Sequence, residues 1–316
     1  MSRILITGIN GFAASHLARF LVNKGHEVHG TVRVRSDLYK LRDIESKITL
    51  HLVEMTDAIS VRGLIEKVKP EQVYHLAAQS YVKSSWDTPL ETYNINVLGT
   101  VSLLEAIKAV DKNIEVLVTS TSEVYGEISG RPINEQTNGN PNTHYGISKY
   151  CQDMIARLYH KAFGMNIVIT RSFNITGAGR ADVFVDSNFA KQIVEIENGK
   201  EPIIRHGNLE SKRDFTDVKD IVRGYVLVME SKRWGQVFCL GQGKETKISE
   251  VLKILLDNST KKEIKTEIDP ARFRPVDTAT MQGDFGKAKD MLGWKPEIPL
   301  EQSLTDLLNY WRDRLK

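Results

Sequence analysis

The chain has 316 residues, 41% of them hydrophobic and 26% charged, with a net charge of +3. That length buries a substantial core in one large domain or two coupled ones, and so small a charge gives no reason to expect nucleic acid or an anionic membrane as a partner. No apolar run approaches the roughly 18–20 residues needed to span a bilayer, and a start on strand-like Arg3-Ile4-Leu5-Ile6-Thr7, without a signal peptide, leads us to expect a cytoplasmic protein.

Short β-branched runs predict strands at residues 4–7, 27–32, 48–52, 72–76, 114–120 and 166–170, and helical patterns lie between them at 12–23, 59–68, 91–110 and 145–163. In the longest helix Ile95, Leu98, Val101, Leu104 and Ile107 recur every three residues. Such alternation predicts an α/β fold, a doubly wound, Rossmann-like parallel sheet with helices on both faces. Beyond Arg171 the pattern loosens. Helices are expected near 188–197, at 218–230, 248–256 and 300–314, with strands at 202–205 and 236–240. We therefore divide the chain into a dinucleotide-binding domain, 1–172, and a smaller C-terminal α/β substrate lobe, 173–316, that partly returns to the sheet. Cys151 and Cys239 fit no metal-ligand spacing and read as core thiols. No metal is expected.

Thr7-Gly8-Ile9-Asn10-Gly11-Phe12-Ala13-Ala14 follows the first strand and opens the first helix. Glycines there allow a tight turn and a close approach of backbone to pyrophosphate, and the helix N-terminus attracts the anion. Gly8, Asn10, Gly11 and Phe12 are thus cofactor candidates. The second strand ends in Gly30-Thr31-Val32-Arg33-Val34-Arg35-Ser36. Where an NAD site places a carboxylate for the ribose hydroxyl, Arg33 and Arg35 suit a 2′-phosphate through charge and planar donor geometry. NADP is the expected cofactor; the alternative is that the arginines are solvated loop residues.

Chemistry is carried by Asn142-Thr143-His144-Tyr145-Gly146-Ile147-Ser148-Lys149. Residues four apart on a helix share a face, so the Lys149 ammonium is expected beside the Tyr145 phenol. A cation there lowers a pKa ordinarily about 10, and such a phenol exchanges a hydroxyl proton while hydride moves at the same carbon. Thr121, one strand and loop upstream, completes the set.

These residues resemble the extended short-chain dehydrogenase/reductase family over nearly the whole chain. The likeness covers the T-G-x-x-G-F loop, His75-Leu76-Ala77-Ala78-Gln79-Ser80, Asn96-Val97-Leu98-Gly99-Thr100 and Thr121-Ser122-Glu123-Val124-Tyr125-Gly126. Within it, Gln79-Ser80-Tyr81-Val82-Lys83-Ser84-Ser85-Trp86, Gly207-Asn208-Leu209-Glu210-Ser211-Lys212-Arg213-Asp214-Phe215 and Arg274-Pro275 resemble the GDP-mannose 4,6-dehydratase branch. The shortness of the chain and Phe189-Ala190-Lys191-Gln192 resemble the partner GDP-4-keto-6-deoxy-mannose reductase. Asn174-Ile175 departs from an Asn-His pair common to both branches.

The resemblance implies a site with Thr121, Glu123, Tyr145 and Lys149 in catalytic positions. Glu54, Met55, Leu76, Ala77, Ala78, Gln79 and Tyr93 join the cofactor contacts, and Ser80, Asn174, Lys191, Arg213 and Arg274 contact substrate. Arginine forks at 213 and 274 match diphosphate oxygens. In a dehydratase, Tyr145 with Lys149 takes the C4 hydroxyl proton and Glu123 takes the C5 proton. A reductase or epimerase on a related nucleotide sugar stays open, as does a cofactor-binding protein without turnover. The family likeness also implies a homodimer through the helices at 91–110 and 145–163, with a tetramer open through residues 33–36.

Overall fold

The computed structural model describes all residues except Ser129, Arg274, Pro275 and Asp277. In chain order it begins with β1 (Arg3–Thr7), α1 (Phe12–Asn23), β2 (Glu27–Val32), β3 (Ile48–Leu52), α2 (Ala58–Val68), β4 (Gln72–His75), α3 (Val82–Asp87), α4 (Pro89–Tyr93), α5 (Gly99–Val110), β5 (Glu115–Thr121), α6 (His144–Phe163) and β6 (Ile167–Ser172). It continues with β7 (Asn174–Thr176), α7 (Val185–Glu197), β8 (Ile203–His206), β9 (Lys212–Arg213), β10 (Phe215–Asp217), α8 (Val218–Glu230) and β11 (Val237–Leu240). The last elements are β12 (Thr246–Lys247), α9 (Ile248–Asp257), β13 (Lys265–Ile268), α10 (Gly286–Leu292) and α11 (Leu300–Arg314).

Seven parallel strands form one sheet in the order β11-β6-β5-β4-β1-β2-β3. Alternation along each strand sends side chains to opposite faces. Ile4, Ile6, Tyr74, Leu117, Val168 and Phe238 pack against α1 and α8, whereas Leu5, Val73, Val116, Val118 and Ile167 pack against α2, α5 and α6. Burying each such side chain favours folding by about 1.5–3 kcal/mol. A third cluster joins α7, α9 and α11 through Phe189, Ile193, Leu252, Leu307 and Trp311. The C-terminal half thus supplies its own small core and also returns α8 and β11 to the sheet.

Most predicted elements lie within a few residues of those observed; the longest helix does not. Its single 91–110 span divides into α4, a wide π-type turn at Asn94–Leu98, and α5. The wide turn carries Asn96 into the interior, where its side chain bonds the Gln79 backbone and Ser148 Oγ. Such insertions mark places where one side chain must be re-aimed within a helix. The short elements α3, α10, β7, β9, β10, β12 and β13 carry too few residues to show a period.

Candidate active site

A cavity of about 490 Å³ opens at the carboxyl ends of the strands, with Gly8 after β1, Leu76 after β4 and Thr121 at the end of β5 on its walls. The strand order reverses between β1 and β4, the point at which open α/β sheets take ligands. Gly8 has φ +67, and a Cβ there would lie 2.9 Å from Ala77 Cα, so the turn is built for glycine. Helix α1 starts at Gly11 with no side-chain cap, in contrast to α2, α6 and α8, capped by Asp57, Thr143 and Asp217. Its first N–H groups are left for an outside acceptor. A backbone cradle that a side chain would fill, beside an uncapped helix start, fits the diphosphate of a dinucleotide.

Of the expected cofactor residues, Gly8, Asn10, Gly11, Phe12, Arg33, Glu54, Met55, Leu76, Ala77, Ala78 and Gln79 line this cavity. Arg33 is exposed on its rim, while Arg35, exposed in the left-handed region at φ 62, lies outside the lining. Tyr93 also lies outside it, its hydroxyl 3.0 Å from His144 Nδ1. On the substrate side Ser80, Asn174 and Arg213 line the cavity. Arg213 is buried, with Nη1 donating to Thr278 O at 2.7 Å. Lys191 points elsewhere, pairing with Asp182 at 2.6 Å. Arg274 lies outside the described residues.

Thr121, Glu123, Tyr145 and Lys149 share the cavity. β5 ends at Thr121, whose Oγ1 accepts the Glu123 N–H at 3.3 Å and starts a tight 3-10 turn, Ser122–Tyr125. Thr143 caps α6 by accepting the Gly146 N–H at 2.9 Å, which fixes the first turn that bears Tyr145. Tyr145 and Lys149 are both buried.

The electrostatics differ from the spacing argument. Burial, and then the Glu123 carboxylate, push the Tyr145 phenol above its ordinary range, against a hydrogen bond to Thr121 and the charge of Arg180. Lys149 donates to Thr119 O at 2.6 Å and to Gln152 Oε1. Burial brings its own pKa down to about 7, with Asp153 opposing. Spacing places the two groups on one face; it does not aim the amine at the phenol.

Arg180, Phe184, Ser172 and Tyr225 also line the cavity and were missed. Arg180 is 6% exposed, pairs with Asp186 at 3.0 Å and stacks 4.3 Å from the Phe184 ring centre. Only the preceding Gly177 and Gly179 hinted at a special loop. Tyr225 comes from α8, where one tyrosine on an amphipathic helix gives no signal; its hydroxyl is 3.1 Å from Ser172 Oγ. Beneath this side, buried Asp214 accepts the N–H groups of Gln242, Gly243 and Gly283 at 2.6, 2.8 and 3.0 Å, tying together the loops behind Arg213. Burial raises its carboxyl to about 6 even so. Among the described residues no helix is long and apolar enough to cross a membrane.

The arrangement can therefore hold a dinucleotide diphosphate, move a proton at a buried phenol and present a carboxylate beside it. Comparison with known proteins adds the family. Residues 5–307 match the family model for GDP-mannose 4,6 dehydratase. The chain is 30% identical to the GDP-6-deoxy-D-mannose reductase of Pseudomonas aeruginosa, covering 99% of this chain and 98% of that protein. It is also 30% identical to the GDP-mannose 4,6-dehydratase of Yersinia enterocolitica, covering 98% of this chain and 93% of that protein. Among solved structures, RMD from Pseudomonas aeruginosa complexed with NADPH superposes with a TM-score of 0.86 at 28% identity, covering 99% of this chain and 100% of that one. The UDP-glucose 4-epimerase of Thermotoga maritima with UDP-glucose gives a TM-score of 0.88, also at 28% identity, with 99% of each chain covered. With its parallel sheet, its phosphate cradle and a family match along nearly its whole length, the chain belongs to the GDP-mannose 4,6 dehydratase family, within the nucleotide-sugar branch of the extended short-chain dehydrogenases/reductases.

Proposed function

We propose that the protein is an NADP-dependent GDP-mannose 4,6-dehydratase, forming GDP-4-keto-6-deoxy-mannose by oxidation at C4, loss of water across C5 and C6, and reduction at C6. The observation that carries this reading is Glu123, a carboxylate in the same cavity as Thr121 and Tyr145 and near enough to raise the phenol's pKa. Elimination across C5 and C6 needs a second base, whereas hydride transfer at C4 alone does not.

Gly8, Asn10, Gly11 and the start of α1 would hold the dinucleotide diphosphate, with Arg33 and Arg35 toward a 2′-phosphate. A complex with NADPH in the Pseudomonas aeruginosa protein supports that choice. A dinucleotide held there would supply the hydride acceptor and donor for the sugar. Tyr145 takes the C4 hydroxyl proton, and Thr121 hydrogen-bonds the same oxygen and fixes its position. Once C4 is a ketone the C5 proton is acidic, and Glu123 removes it. Ser122 stands where many nucleotide-sugar dehydratases carry an aspartate, so Glu123 also delivers the proton to the departing C6 hydroxyl. Arg213, and Arg274 beyond the described residues, bind the diphosphate of GDP; Lys191 is available once its pairing with Asp182 opens.

A reductase reading draws on the chain's length, which spans 98% of the Pseudomonas aeruginosa reductase and 93% of the Yersinia enterocolitica dehydratase. One experiment separates the two. Incubated with GDP-mannose, the protein should form the 4-keto-6-deoxy sugar with no net change in NADP. Stoichiometric NADPH oxidation with GDP-4-keto-6-deoxy-mannose, and no reaction with GDP-mannose, would establish the reductase instead.

We also propose a cytoplasmic homodimer. Leu98 on the wide turn and Ile147, Met154, Leu158 and Phe163 on α6 are exposed by 53%, 37%, 53%, 58% and 42%. Positions 147, 154 and 158 fall on one helical face, and a second copy of the chain is the occupant that would cover them.

A further inference from the structure

A run of buried hydrogen bonds leads from the phosphate loop to Lys149, and each proton along it can be assigned. Thr7 Oγ1 accepts the N–H groups of Leu76 at 3.1 Å and Ala77 at 3.0 Å. A hydroxyl oxygen accepts twice and donates once, so its proton goes to the remaining neighbour, His75 Nδ1, at 2.8 Å. His75 is then the neutral tautomer with its proton on Nε2, donating to Thr100 Oγ1 at 3.0 Å. Burial agrees, holding that imidazole's pKa down to about 3.

Thr100 in turn donates to Asn96 O at 2.7 Å, and its second acceptor position takes Gln152 Nε2 at 2.8 Å. The amide of Gln152 is thereby oriented. Its NH₂ must face Thr100, which leaves its carbonyl oxygen facing Lys149 Nζ. Thr119 closes the circuit, its hydroxyl donating to His75 O at 3.0 Å while its own carbonyl accepts from Lys149 at 2.6 Å. Gln152 has no exposed surface and is absent from the cavity lining. It meets the reaction only through Lys149.

We propose that Gln152 is a positioning residue of the reaction, its carbonyl holding the Lys149 amine in place and favouring the charged form. The inference rests on reading Tyr145 and Lys149 as the proton-handling pair. Burial favours the uncharged amine and the Asp153 charge opposes it; the two fixed acceptors, Thr119 O and Gln152 Oε1, take hydrogen bonds that the charged form donates best. The charged and titratable groups around it are Asp153 on the same helix, paired with Arg171 of β6 at 2.7 Å, and His75 of β4, kept neutral by the chain above. Glu123 and Arg180 act on Tyr145.

The test uses the full chain labelled with [¹⁵N]lysine and follows the Lys149 Nζ resonance against pH, assigned by its loss in Lys149→Met. The unmodified protein should titrate near 7. Gln152→Met keeps similar volume without an acceptor and should lower the midpoint by about one pH unit; Gln152→Glu adds a charge and should raise it by at least about as much. The pH profile of turnover should move with the midpoint in each case. Unmoved midpoints in folded variants overturn the proposal, and if the Met variant does not fold, an unmoved midpoint in Gln152→Glu overturns it alone. A midpoint that moves while the turnover profile does not would instead remove Lys149 from the reaction, leaving the hold of Gln152 on it intact.

Discussion

At Tyr145, burial and the Glu123 carboxylate oppose ionisation while Thr121 and Arg180 favour it. As the proposed base, Tyr145 has to act against that raised pKa. Tyr145→Phe keeps the ring packing and removes the base, so oxidation at C4 should fall by about 10²–10⁴-fold. Glu123→Gln removes a carboxylate that raises the phenol's pKa. The pH dependence of C4 oxidation should then shift toward lower pH, whereas entry of solvent deuterium at C5 should slow by about 10²–10⁴-fold. Both are read from transient reduced cofactor and from product isotope content. Exchange at C5 at the unmodified rate would exclude Glu123 as the elimination base.

Among the elements, α7 and α11 are joined where Glu197 receives Arg312 Nε at 2.9 Å and Nη2 at 2.7 Å, together with the Thr260 N–H at 2.8 Å from the turn after α9. The Arg312 hydrogen bonds, then the Thr260 N–H, hold the Glu197 carboxyl down at about 2. A carboxyl whose folded pKa is depressed stabilises the fold above its unfolded value and loses that contribution as pH falls through the folded one. Glu197→Gln should thus cost about 2 kcal/mol at neutral pH, a melting temperature lower by roughly 3–6 °C. The gap between variant and unmodified protein should close as the pH falls from about 4.5 toward 2. A gap independent of pH would mean that the contact acts by packing and not by charge.

For the whole molecule, the sheet and its two layers of helices leave one apolar helical face uncovered beside the site. It borders the wide turn whose Asn96 also bonds Ser148, one residue before Lys149. In the proposed dimer, covering that face would buttress helix α6 as well as hide apolar surface. Leu158→Glu combined with Met154→Lys should convert a dimer to monomer in sedimentation velocity, with activity falling in parallel. A monomeric unmodified protein at micromolar concentration would refute the dimer.

Local patterns carried much of this protein. Runs such as Arg3-Ile4-Leu5-Ile6-Thr7 are strands because β-branched and apolar side chains must be buried on both faces of a parallel sheet. The glycine loop is legible because its glycines stand between the first strand and the first helix, where a tight turn and a helix N-terminus meet. Tyr145 and Lys149 are legible because helical spacing is fixed. What no local window contains is direction and solvation. The wide turn at Asn94–Leu98 exists for partners at Gln79 and Ser148. Arg180 and Tyr225 enter the cavity from the later half of the chain. The lysine amine donates to Thr119 and to a Gln152 amide whose orientation is set by a chain of bonds through Thr100 and His75 to residues as distant as Thr7. Spacing along a chain sets which residues share a face; burial and long-range hydrogen bonding set where their polar ends point and which of them carry charge.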